Sequence, residues 1–152
     1  MTILAIVPGS FAPVALYDDW VAHLSKHGVR SVVIDLPSVG YPEGKPAQTM
    51  TDDANEITRV VEGLLDNGED VVILTHSYGG IPGTQSLETL SHKARQAVGK
   101  SGVKKIIYMT SVIVPAGTSN FEAFGSTLPD SIKVEVPTTT VLFTYFLCVN
   151  AF

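Results

Sequence analysis

The sequence predicts an α/β fold: a doubly wound, mostly parallel sheet of four core strands with helices on both faces. Four short apolar runs recur along the chain, nearly continuous rather than alternating, as expected for strands buried on both faces of a parallel sheet. Helix-like apolar stripes lie between these runs, and this alternation of strand and helix favours right-handed βαβ units. The predicted strands are Ile3–Val7, Ser31–Leu36, Val71–Leu74 and Lys105–Met109.

Three helices are predicted between the strands. Gly28 suits a C-terminal cap of the first helix. Thr51 is predicted to cap the second, with Asp52 and Asp53 at the positive end of its dipole. The stripes consist of Leu16, Trp20 and Leu24; then Ala54, Ile57, Val61, Leu64 and Leu65; then Leu87, Leu90, Ala94, Ala97 and Val98.

Composition and charge narrow the classes of function. The chain has 152 residues, 45% hydrophobic and 16% charged, which indicates a globular domain rather than a disordered segment. A net charge of −5 argues against a nucleic-acid surface. Cys148 is the single cysteine, the N-terminus lacks a basic leader, and no apolar stretch reaches the ~20 residues that span a bilayer. We expect a cytoplasmic protein without a membrane span.

The strand and helix rhythm ends after Val114. The following residues have loop chemistry, and the chain closes on the apolar stretch VLFTYFLCVNAF. We therefore predict a core domain at residues 1–115, followed at residues 116–152 by the start of a cap region and an atypical apolar tail.

Ser77 follows directly after a predicted buried strand, in the stretch THSYGG. Ligands of doubly wound sheets collect at the carboxyl ends of the strands, so a serine at this place is exposed to substrate. His76 precedes it, and Gly79 and Gly80 give the room that a helix needs to pack closely behind a sharp turn. The pattern predicts a nucleophile elbow, although an ordinary strand-end turn is the simpler alternative.

Backbone N–H groups near this serine are candidates for an oxyanion hole. The N–H of Tyr78 lies at the positive N-terminus of the helix that follows the elbow. The second donor is expected in the loop PGSF after the first strand, from the N–H of Ser10 or Phe11.

At these residues the chain resembles the α/β-hydrolase superfamily. PGSF stands where that superfamily has its His-Gly oxyanion loop, THSYGG stands for the Gly-x-Ser-x-Gly elbow, and VVIDLPSVGYP resembles the strand and loop after the first helix. The nearest resemblance is to a branch of small esterases that includes plant methylesterases, hydroxynitrile lyases and fungal hydrolases. Two departures are Thr75, in place of the first elbow glycine, and Pro8, in place of the loop histidine.

A serine nucleophile needs a base, which is usually a histidine oriented by a carboxylate. The superfamily orders them serine, acid, histidine, and His92 is the only histidine after Ser77. His92 is expected about 22 Å along a helix that leaves the active face. The resemblance implies that acid and base follow in a continuation that this chain lacks. We therefore interpret it as C-terminally incomplete, with an exposed sheet edge at Lys105–Met109 through which it could self-associate.

Three functions remain open at this stage. The first is a serine hydrolase that cleaves a small ester or related acyl substrate through Ser77, without metal or organic cofactor. The second is a non-catalytic pseudo-hydrolase fragment that binds a small ligand or a partner chain, and the third is a hydroxynitrile-lyase-like enzyme. Tyr41 and Trp20 are candidates for the pocket wall. The simpler alternatives are a plain turn at Tyr41 and core packing at Trp20.

Asp35 and the pair His23 and His27 have simpler explanations than a cofactor or a metal. An acid at the end of the second strand could hold a ribose, but PGSFAPV lacks the Gly-x-Gly-x-x-Gly loop that such a site requires. His23 and His27 share a helix face without a third ligand in the pattern.

Overall fold

Strands and helices alternate through the first part of the chain, as the sequence predicts. The computed structural model describes residues 1–40, 46–123, 125–127, 132–133 and 148–149. The chain divides into two compact units, Met1–Ile113 and Val114–Phe152. The assignment of the second unit to a cap region stays a prediction.

The described residues of the first unit form four strands and four helices. The strands are β1 (Thr2–Val7), β2 (Arg30–Val33), β3 (Asp70–His76) and β4 (Lys105–Met109). The helices are α1 (Asp18–Lys26), α2 (Met50–Asp66), α3 (Gly80–Leu90) and α4 (His92–Gln96), and short 3₁₀ turns cover Val14–Tyr17 and Ser77–Gly79.

The four strands form one parallel sheet in the order β2-β1-β3-β4. Ile6 of β1 lies opposite Val33 of β2 on one side and Leu74 of β3 on the other. The strand that follows β1, β2, lies on one side of it, and the next strand, β3, lies on the other side. The strand order therefore reverses between β1 and β3. The loops that follow these two strands flank the crevice in which doubly wound sheets bind their ligands.

Each face of the sheet has its own apolar core, which confirms helices on both sides. Ala5 and Val7 of β1 pack with residues of α2 and α3 such as Ile57 and Leu90. Ile6, on the opposite face of the same strand, joins a second cluster with Tyr17. Because successive strand residues point to opposite faces, a nearly continuous apolar run serves both cores.

Helix boundaries differ from the sequence expectation at two places. The cap of α2 is Thr49 rather than Thr51: its hydroxyl accepts from the Asp52 N–H, and the Asp52 carboxylate accepts from the Thr49 N–H. The third apolar stripe is broken at Ser91, which takes an extended conformation and caps α4, and its last two members, Ala97 and Val98, lie beyond the end of α4. Val98, which belongs to the predicted apolar stripe of the third helix, is 72% exposed.

The second strand is shorter than predicted, ending at Val33 rather than Leu36. The Ile34 N–H still donates to the carbonyl oxygen of Ile6. Beyond it the chain turns into a loop, in which the Val39 N–H donates to the carbonyl oxygen of Leu36.

Strand β4 pairs with β3 alone among the residues that the structure describes. Its Ile107 is 41% exposed. Within the described part of the chain β4 is an edge strand, and both its exposure in the whole protein and self-association through it stay predictions.

The second unit contains α5 (Asn120–Ala123) and a short antiparallel pair, β5 (Ile132–Lys133) with β6 (Cys148–Val149). Ser119 and Glu122 form reciprocal backbone-to-side-chain hydrogen bonds at the start of α5. In the described ranges, every helix is too short or too polar to cross a lipid bilayer.

Candidate active site

Ser77 lies on the sharp turn that joins β3 to α3. Its φ angle is +51°, in the left-handed region that non-glycine residues rarely occupy. Such strain persists only where the surrounding structure enforces it, and it is typical of functional sites. Ser77 is half-buried, and within the described residues its Oγ makes no hydrogen bond. As far as the chain is described, the hydroxyl therefore lies at the carboxyl edge of the sheet without a hydrogen-bond partner.

Gly79 and Gly80 let α3 approach the sheet more closely than any other residue type would allow. A Cβ on Gly79 would lie 2.7 Å from the carbonyl oxygen of Val7 and nearer still to that of Pro8. A Cβ on Gly80 would lie 2.9 Å from Ser111 Cβ and would overlap the Val112 carbonyl oxygen. The two glycines thus press the turn against the ends of β1 and β4.

Thr75, which departs from the superfamily pattern, is accommodated by a glycine further along. It is fully buried, and its Oγ1 lies 2.8 Å from Ser111 Oγ. A Cβ on Gly83, in the first turn of α3, would lie 2.6 Å from Thr75 Cγ2. Gly83 therefore supplies the space that the threonine methyl group requires.

The loop after β1 lies against Ser77. A Cβ on Gly9 would be 3.0 Å from Ser77 Cβ and 3.5 Å from Ser77 Oγ. Ser10 and Phe11 follow, both exposed, and Phe11 has a φ of +59°. Their amides make no hydrogen bond to any described part of the chain. The structure thus brings together the turn and the loop that the sequence singled out separately.

Tyr17 joins this loop to the elbow, a role that the sequence did not indicate. It is 7% exposed, and its hydroxyl accepts the Gly9 N–H at 3.1 Å and lies 2.9 Å from His76 Nδ1. The hydroxyl oxygen can accept a second hydrogen bond or donate its own proton, so the direction of its bond with His76 depends on the imidazole tautomer. The Gly9 amide is therefore already engaged, which leaves those of Ser10 and Phe11 as oxyanion candidates.

Replacing Tyr17 with phenylalanine is expected to lower the free energy of unfolding by about 1–3 kcal/mol, because the buried Gly9 N–H loses its acceptor. Urea unfolding measures this change. The matched control is Tyr108→Phe, which removes a hydroxyl from an exposed pair with Thr84 and should cost under about 0.5 kcal/mol. Equal losses in the two variants would contradict the role of Tyr17.

None of the four histidines, all of which lie in described ranges, contacts Ser77 Oγ through a hydrogen bond. The His76 ring is engaged with Tyr17, and the His92 backbone N–H donates to Val103 beyond the end of α3. His23 and His27 pack ring to ring on exposed α1, with centroids 4.5 Å apart. No group of three or more potential metal ligands forms among the residues described.

The two candidate pocket residues have different outcomes. Trp20 is half-buried beside Tyr17, with ring centroids 6.3 Å apart. This position agrees with the core-packing alternative, because Trp20 contacts the apolar cluster on the α1 side of the sheet. Its pocket role stays a prediction. Tyr41 lies outside the described residues.

A cleft of about 560 Å³ opens at the carboxyl end of β2, lined by Asp35, Leu36, Pro37, Val39, Pro46, Gln48 and Glu56.

Two curated fungal proteins are similar in sequence to most of this chain. The chain is 40% identical over 122 residues to a probable hydrolase of a Phoma species, covering 80% of this chain and 47% of the relative. It is 32% identical over 116 residues to an alpha/beta hydrolase of Aspergillus novofumigatus, covering 76% of this chain and 45% of the relative. The chain thus spans about half the length of the curated relatives it matches.

Solved structures share the fold at lower identity. Polyneuridine aldehyde esterase superposes with a TM-score of 0.63 at 18% identity, over 86% of this chain and 50% of the esterase. Tomato Methylketone Synthase I superposes with a TM-score of 0.64 at 15% identity, over 91% of this chain and 54% of that one. The model of the alpha/beta hydrolase family matches residues 4–146. On this match and on the two fungal relatives, the chain belongs to the alpha/beta hydrolase family.

Proposed function

We propose that this chain carries the nucleophile half of a serine hydrolase that acts on a small ester or related acyl substrate. The observation that carries the proposal is the strained Ser77 on the strand-to-helix turn, whose Oγ has no hydrogen-bond partner among the described residues, with the Gly9 loop packed against it. Several proteins of the same fold are named as esterases or lipases, which supports an ester as the substrate class.

In the proposed reaction, Ser77 Oγ attacks the ester carbonyl carbon while a base takes the hydroxyl proton. The carbonyl oxygen becomes an oxyanion, stabilised by the N–H of Tyr78 and by that of Ser10 or Phe11. The ester C–O bond then breaks, and the leaving alcohol takes up a proton. Water hydrolyses the resulting acyl-enzyme and restores the serine. No step requires a metal or an organic cofactor.

The base is the part that the described residues do not supply to Ser77. No histidine hydrogen-bonds its Oγ there, which favours the non-catalytic alternative, in which the chain only binds a small ligand or a partner. The hydroxynitrile-lyase-like alternative also stays open. The same fold occurs in a protein named as a methylketone synthase, so this fold supports reactions other than ester hydrolysis. If the nucleophile and oxyanion loop are functional and only the base is missing, an external base should restore reactivity.

Phosphonylation by a fluorophosphonate, mapped by mass spectrometry, tests this proposal. In the reaction, Ser77 Oγ bonds to phosphorus and fluoride leaves. We expect slow modification at Ser77 that accelerates about tenfold or more with added imidazole, above the pKa of imidazole, because neutral imidazole then accepts the serine proton. Sodium chloride at equal ionic strength is the control and should have no effect.

The other outcomes of this experiment are equally decisive. Fast modification without imidazole would mean that a base is already present and that only the missing-base part is wrong. A folded chain that is never modified at Ser77 would overturn the hydrolase proposal and favour the binding alternative. Release of cyanide from a cyanohydrin without ester turnover would favour the lyase.

A further inference from the structure

Asp53 is a fully buried carboxylate directly behind the elbow. It lies in the first turn of α2 and is 0% exposed. Its Oδ1 accepts the Ser38 N–H at 2.9 Å, and its Oδ2 accepts the Ser38 hydroxyl at 2.6 Å and the Tyr78 hydroxyl at 2.7 Å. One carboxylate therefore binds the loop after β2 and the residue that follows Ser77.

A buried carboxylate is costly unless its oxygens are fully hydrogen-bonded. Asp53 forms no ion pair with a described lysine or arginine, so its partners there are the hydrogen bonds from Ser38 and Tyr78. Burial and the hydrogen bond to Asp53 raise the pKa of Tyr78 far above its usual value, which keeps this phenol protonated and donating. Replacing a buried ionisable group with apolar side chains is often neutral or stabilising, so stability alone does not explain a carboxyl group at this position.

The contacts converge on a single peptide unit, the one between Ser77 and Tyr78. Its carbonyl oxygen, on Ser77, accepts the Val112 N–H at 2.9 Å. Its other end is held through the Tyr78 side chain by Asp53. Because a peptide unit is planar, fixing the carbonyl and the following side chain also fixes the direction of the Tyr78 N–H.

We propose that Asp53 is a positioning residue that acts through the Tyr78 side chain to hold the Ser77–Tyr78 peptide, and with it the oxyanion donor, in its reactive orientation. This role rests on the function proposed above. Preorganised donors are effective because they need not reorient when the charge develops. Loss of the Asp53 contact should therefore slow the chemical step more than it weakens binding.

The test compares Tyr78→Phe and Asp53→Asn with the parent chain, by the imidazole-assisted phosphonylation of Ser77 at varied probe concentration. Tyr78→Phe keeps the ring and removes only the donor to Asp53. We expect its maximal modification rate to fall about tenfold, with an unchanged half-saturating probe concentration. Hydrogen exchange should speed up at residues 77–81 and stay unchanged in β1. Asp53→Asn should show the same pattern, and if it does not fold, Tyr78→Phe decides.

Two controls repeat the chemical changes elsewhere. Tyr108→Phe removes a tyrosine hydroxyl whose partner is Thr84, and Asp52→Asn removes the neighbouring carboxylate of α2, whose partner is Thr49. Both should keep the parent rate, although Asp52→Asn lowers stability by weakening the cap. A parent-like maximal rate in Tyr78→Phe would overturn the positioning role and leave the hydrolase proposal intact. A parent chain that is never modified at Ser77 would overturn the hydrolase proposal itself.

Discussion

Replacing Ser77 with glycine is expected to abolish phosphonylation of the protein at this site and yet to give a more stable chain than Ser77→Ala does. Both variants lose the nucleophile. The φ of +51° costs a non-glycine residue about 1–2 kcal/mol, whereas glycine adopts it freely. Part of that gain is offset by the greater freedom of glycine in the unfolded chain, so we expect a net difference of about 1 kcal/mol. Mass spectrometry and urea unfolding measure the two effects.

The matched control for this comparison is Ser86, in the interior of α3. Its hydroxyl donates to the Gly83 carbonyl oxygen at 2.8 Å, so Ser86→Ala and Ser86→Gly also lose the same hydrogen bond. In ordinary helical backbone, glycine is about 1 kcal/mol worse than alanine, so the order of stability should reverse. If glycine is the less stable choice at both positions, the strain assigned to Ser77 is wrong.

Replacing Gly79 with alanine is expected to lower the free energy of unfolding by about 3 kcal/mol or more. The new Cβ would lie 2.7 Å from the Val7 carbonyl oxygen and 2.9 Å from Val7 Cγ1. These are atoms of a central strand, so relief requires α3 to move away from β1. That movement would also separate Ser77 from the loop at Gly9, and the modification rate should fall with the stability.

Gly63→Ala is the control for this substitution. Gly63 is exposed in α2, and a Cβ there would meet nothing within 4 Å. Because alanine is the better helix former, Gly63→Ala should raise the free energy of unfolding by about 1 kcal/mol. Differential scanning calorimetry would show midpoint shifts of opposite sign. A Gly79→Ala variant with the parent midpoint would contradict the close approach of α3 to β1.

The backbone frame of the candidate site could be predicted from the sequence because its signals are local. An apolar run that ends in Ser77 and is followed by Gly79 and Gly80 indicates a strand, a sharp turn and a helix, in order. Helix ends were less predictable. Thr49 and Thr51 are both good capping residues, and only the reciprocal bond with Asp52 decides between them.

The side chains that hold the site together were not predictable in the same way. Tyr17 and His76 are 59 positions apart, and Asp53 and Tyr78 are 25 apart. Their meeting depends on strand order and on the rotation of α2 about its axis. In the sequence, Asp53 has the ordinary appearance of an acid that complements a helix dipole. The space that Gly83 leaves for Thr75 could not be predicted from the sequence either, because it depends on how α3 packs against β3.

Local sequence signals are enough to predict which segments become strands, where the central strand ends in a turn, and that Ser77 lies on that turn. These features follow from hydrophobic periodicity and from the conformational range of glycine, which act over a few neighbouring residues. Only the tertiary structure decided which groups surround the turn. The reversal of strand order between β1 and β3 brings the Gly9 loop to Ser77, and burial forces distant polar groups such as Asp53 and Tyr78 to satisfy one another.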